Sequence, residues 1–152
     1  MKLEYFKDTI GIYPGALDQS FCNEMIEEFH RQQKGNVYEG FTLGGKNYRS
    51  KRTYELNLKN TGNELYDGWV KTIEESAIRL NKRYLKKFGH LDKFNPLEVH
   101  GGGVYYPLWK IQQYKKNEGH YHAWHTEQNY SRDTAQRLMV SMFYLNDVPK
   151  GG

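Results

Sequence analysis

A single cysteine, Cys22, stands among 152 residues, which excludes an intrachain disulfide and any zinc site built from several cysteines. No stretch approaches the roughly 18 consecutive apolar residues of a membrane span. The opening residues, Met-Lys-Leu-Glu-Tyr-Phe-Lys-Asp, lack the apolar run of a signal peptide. Also missing are the Gly-x-Ser-x-Gly elbow, the glycine-rich phosphate loop and the His-Glu-x-x-His helix of zinc proteases. There are no internal repeats and no low-complexity tracts. These absences leave one soluble domain over residues 1–152, expected in the cytoplasm, with no membrane partner.

What the sequence does have is aromatic. Thirteen Tyr, 7 Phe and 3 Trp make up 15% of the chain. That load argues against disorder despite a mean hydropathy of −0.91. Lys and Arg outnumber Asp and Glu by 22 to 18, giving +4. The balance suits an anionic small molecule, an acidic partner or nucleic acid, and is too small to choose among them.

Periodicity supplies the elements. Residues 4–13 read as a strand before the Pro14-Gly15 turn. Asp18 or Ser20 caps a helix near 18–33, on which Phe21, Met25, Ile26 and Phe29 recur at helical spacing, with Gly35 as its stop. Strands around a Gly44-Gly45 turn are expected between Val37 and Leu58. A longer helix over 64–88 carries Leu65, Trp69, Ile73, Ala77, Leu80, Tyr84 and Phe88. Its Lys82, Arg83, Lys86 and Lys87 read as a solvated C-terminal end that suits the helix dipole. Trp109–Tyr114 alternates like a strand, and the β-prone run 137–145 reads as a strand covered on both faces. The pattern predicts an α+β domain with helices backing one sheet.

The chemistry concentrates in Gly-His-Tyr-His-Ala-Trp-His-Thr-Glu, where His120, His122, His125 and Glu127 fall within eight residues. Ferrous iron favours two imidazoles and a carboxylate with open positions. On an extended strand His125 and Glu127, two apart, project to one face. His120, His122 and Glu127 also fit the first half of a cupin metal motif, whose flanking glycines are replaced here by Tyr114 and Thr134. Cys22 has no support as a nucleophile and falls near the apolar stripe of its helix.

Taken with their surroundings, residues 109–152 resemble the iron- and 2-oxoglutarate-dependent dioxygenases of the prolyl 4-hydroxylase-like superfamily. The resemblance runs through Lys110-Ile111-Gln112-Gln113-Tyr114, Gly119-His120-Tyr121 and Trp124-His125-Thr126-Glu127. It resumes at Arg137 through Val148 and ends at Gly151-Gly152. It implies a double-stranded β-helix (jelly-roll), with helical support over about 1–95 and the start of the β core over about 96–152. His125 and Glu127 would be iron ligands, Glu standing where Asp is commoner. Tyr114 and Tyr144 would reach 2-oxoglutarate, and Trp124 would stand on the substrate side or in the core. His120 or His122 would substitute for a third ligand. The implied cofactors are Fe(II), 2-oxoglutarate and O2, with ascorbate as an auxiliary reductant. The implied reaction is hydroxylation of a small molecule or peptide; nucleic acid is not an expected partner.

The family continues past its Gly-Gly turn with strands carrying a distal histidine and a basic residue. On the resemblance, the jelly-roll here is therefore expected to be incomplete and its activity reduced. Two readings from other classes stand beside it: a cupin-like metal enzyme, and a non-enzymatic basic binding module. An open β-prone edge over 137–145 is a template for another chain, so a two-fold homo-oligomer is expected. Light scattering checks this; a monodisperse monomer contradicts it.

Overall fold

The computed structural model describes residues 5–42, 45–88, 106, 108–122, 124–125 and 139–150. The expected first strand is a hairpin: β1 (Tyr5–Lys7) pairs antiparallel with β2 (Ile10–Ile12). Its two-residue turn places Asp8 at φ 53°, a left-handed conformation that Asp tolerates better than most residues. Helix α1 (Gln19–Arg31) starts as expected at Asp18, whose carboxylate accepts from Ser20 N at 2.9 Å. A short 3-10 turn, Gln32–Lys34, carries it to Gly35.

Three short strands follow: β3 (Tyr38–Glu39), β4 (Lys51–Arg52) and β5 (Tyr54–Asn57). Helix α2 (Glu64–Lys87) is capped by Asn63, with Glu64 and Asp67 in its first turn and Lys86 and Lys87 in its last. Its basic end is exposed, with Arg83 above the Tyr13 ring and Lys87 above the Phe6 ring of the hairpin. Strands β6 (Lys110–Gln113) and β7 (His120–Tyr121) complete the described elements. The architecture is α+β, with two helices and antiparallel sheets. Among the described residues no helix is long and apolar enough to cross a membrane.

The central sheet has the order β3-β5-β6 and draws strands from both sides of α2. Residues 51–57 are nearly one strand, in which β5 pairs with β6 and β4 with β7. Tyr54 meets Gln113 and Arg52 meets His120, so one intervening residue on one side, Thr53, answers six on the other. The excess leaves as the excursion Tyr114–Gly119. Gly119 closes its base, where a side chain would press within 2.5 Å of the Tyr114 Cα.

One face of this sheet packs on the helices. Leu56, Leu58 and Ile111 join Met25 and Phe29 of α1 and Tyr66, Trp69, Val70 and Ile73 of α2 in one apolar core. The helix face is rotated slightly from the expected stripe: Leu65 is 42% exposed, whereas Tyr66, Val70 and Leu85 are buried. A step of three or four fits either neighbour; what stands opposite decides.

The segment expected as a strand over 137–145 is corrected. Over its described part, 139–145, no strand forms. Burial still alternates with period two: Phe143 and Leu145 pack on the core, while Val140, Met142 and Tyr144 are exposed. An apolar run records what a segment can bury, and no second described layer stands against the outer side.

Trp69 is held between Phe21, edge-on at 6.3 Å, and Tyr66, stacked at 5.5 Å, and its indole donates to Glu24. Trp69→Ala is expected to cost about 3–5 kcal/mol. Leu65→Ala should change stability by less than about 0.5 kcal/mol. Urea unfolding of both variants checks the rotation of α2.

Candidate functional site

The face of the sheet away from the helices is polar, and part of it is buried. Alternation puts Thr53, Glu55 and Asn57 on this side of the 51–57 strand, and Lys110 and Gln112 on this side of β6. Glu55 is 2% exposed. Its Oε1 receives Lys51 Nζ at 2.6 Å, Gln112 Nε2 at 2.8 Å and Thr53 Oγ1 at 2.9 Å; its Oε2 receives Lys110 Nζ at 2.8 Å. Burial alone would raise the Glu55 pKa, but the hydrogen bonds from Lys110, Lys51 and Gln112 outweigh it and bring it to about 2. Gly40 closes the cluster from above: any side chain there would collide with Thr53 Oγ1 and come within 2.5 Å of Glu55 Oε1.

A continuous line of contacts runs from this cluster to the histidines. Lys51 lies over the Tyr121 ring at 5.1 Å, and Tyr121 stacks on His125 at 4.4 Å with 17° between planes. Half-exposed Tyr114 stands nearby. Its phenol pKa is raised first by partial burial, then by the charges of Glu55, Tyr121 and Tyr144. His125 is thus joined to the Glu55 cluster through Tyr121 and Lys51. Tyr144 is 80% exposed.

The other expected residues distribute unevenly. His120 has Nδ1 at 3.0 Å from Glu118 O and Nε2 at 2.9 Å from Tyr48 O. A neutral imidazole has one N–H to donate and one lone pair, so His120 donates to one of these carbonyls and stands between β7 and the loop before β4. His122 lies beside it, rings 4.8 Å apart. Trp124 is fully exposed, which corrects its expected core role: nothing among the described residues covers it. Glu127 lies outside the described residues. Among the described residues, no group of three His, Cys, Asp or Glu is placed to hold an ion. Cys22 is buried, its thiol pKa raised by burial and then by the Asp18 charge, as suits an unreactive core thiol.

The buried cluster itself escaped the sequence reading. Its signal was present, since Thr53, Glu55 and Asn57 alternate with Tyr54, Leu56 and Leu58. Alternation separates two faces but does not say that the polar one is also covered. No protein-family model, no curated protein and no solved structure matches the chain.

The depressed Glu55 pKa fixes a sign. The folded state holds the carboxylate ionised more firmly than the unfolded chain does. Stability from this group is therefore full above about pH 4.5 and lost as pH falls toward 2. Acid titration of urea unfolding should show that loss, and Glu55→Gln should flatten it while lowering stability at neutral pH.

Proposed function

We propose that the chain acts as a ferrous iron- and 2-oxoglutarate-dependent dioxygenase of the prolyl 4-hydroxylase-like type on a jelly-roll scaffold. The observation that supports this most is the line of contacts that holds the His125 ring, from buried Glu55 through Lys51 to Tyr121. The donor chemistry fits iron, because an imidazole at His125 and a carboxylate at Glu127 are two members of the two-histidine, one-carboxylate set. When bound, the metal and cosubstrate supply oxidative decarboxylation of 2-oxoglutarate to succinate, coupled to hydroxylation of a C–H bond.

The protein's own part is orientation. Tyr121, gripped by Lys51, sets the plane of the His125 ring. Tyr114 and Tyr144 offer phenolic donors to a carboxylate of the cosubstrate. A donor must keep its proton, which a phenol does at physiological pH, and partial burial of Tyr114 shifts its ionisation further the same way. Exposed Trp124 offers an indole face to a small-molecule or peptide substrate. The cupin-like alternative would take the lone pair of His120 and turn that nitrogen away from the carbonyl it now faces.

Iron titration separates the readings. His125→Ala should weaken Fe(II) binding at least about tenfold and abolish 2-oxoglutarate-dependent succinate formation, while His122→Ala leaves both nearly intact. The reverse pattern would favour the cupin-like site. Indifference of both variants, with salt-sensitive binding to an anionic polymer, would favour the binding module.

A further inference from the structure

The buried cluster is out of balance. Glu55 brings one negative charge and Lys51 and Lys110 bring two positive ones; among the described residues no other carboxylate pairs with either lysine. Lys51 is spent: its side chain is 5% exposed, and its ammonium meets Glu55, the Phe41 carbonyl and the Tyr121 ring. Lys110 is not. Its side chain is 26% exposed and, among the described residues, its ammonium meets only Glu55 Oε2, so two of its three N–H donors remain for a further acceptor.

A second donor stands beside it. Asn57 lies directly opposite Lys110 in the β5–β6 register. Its Oδ1 accepts from the Tyr38 hydroxyl at 2.7 Å, which fixes the amide and leaves its NH2 to donate. A surplus cation backed by a second buried one, next to a fixed amide donor, is the arrangement that an oxyanion completes.

We propose that Lys110 and Asn57, with Lys51 behind them, bind a small oxyanion, a carboxylate or a phosphate group, at the polar edge of β5 and β6. The site is independent of the iron reading, since it uses neither His125 nor Glu127. Glu55 has two roles in it: it fixes the Lys110 ammonium in place and, as a competing anion, keeps the affinity moderate.

The test is calorimetric titration of the full chain, metal removed by chelation and ionic strength held constant with chloride. Succinate and inorganic phosphate are the two probes, and the tighter one identifies the class. Saturable binding of one probe is expected, weakened about tenfold or more in Lys110→Gln and less in Asn57→Ala. Lys46→Gln, which removes a surface lysine paired with Glu39, should leave it unchanged. Because Asn57 is exposed, its variant remains informative if Lys110→Gln folds poorly. No saturable binding of either probe, or equal binding in both site variants, overturns the proposal. Neither result touches the iron titration, so the two readings fail separately.

Discussion

A carboxylate taken almost wholly out of water governs this structure. Glu55 sits where β4, β5 and β6 come together, and an ionised group there is tolerable only if both of its oxygens are met by donors. Meeting them recruits Lys51 from β4, Lys110 and Gln112 from β6, and Thr53 from the bend between β4 and β5. The register of the sheet and the position of the cluster are therefore one condition. A one-residue slip of β6 would turn Ile111 toward the carboxylate and Lys110 toward the helices. The bare backbone of Gly40 over the carboxylate belongs to the same condition, because no side chain fits there.

The two faces of the sheet divide the work. On one, Leu56, Leu58 and Ile111 meet the aromatic and aliphatic residues of both helices, and dispersion and water exclusion hold the domain together. On the other, the order is electrostatic: carboxylate, ammonium, phenol ring, imidazole. This second face transmits position, since Lys51 is fixed by Glu55 and fixes Tyr121, which faces His125. The His125 ring at the end of this line is held by a phenol ring that is itself held by a buried ammonium.

The sequence discloses these layers unequally. Both helices were legible almost to the residue, because Asp18 is a capping side chain for the first and the apolar spacing repeats over several turns in both. The histidine cluster was legible because local spacing carries it. Pairing across α2 was not, since nothing in Tyr54-Glu55-Leu56-Asn57 names Lys110–Gln113 as its partner. The fate of Val140, Met142 and Tyr144 was also hidden, because exposure depends on what lies opposite. His120 shows the same limit at a single residue: its spacing groups it with His122 and His125 but does not disclose that its ring stands between the carbonyls of Glu118 and Tyr48.

The strand pairing across α2 carries a consequence for the order of folding. Lys110 and Glu55 are 55 residues apart, and the 24 residues of α2 lie between them. Closing so long a loop costs conformational entropy before any ladder bond or ion pair rewards it. A helix of this length spans about 36 Å, so forming it first replaces a floppy connection with a stiff one whose apolar face already carries Trp69 and Ile73. The β1–β2 hairpin and both helices are local structures that can form early. The polar face comes last: Lys51 and Lys110 stay hydrated until the sheet closes, and the expensive burial of Glu55 is postponed until both of its cations have arrived.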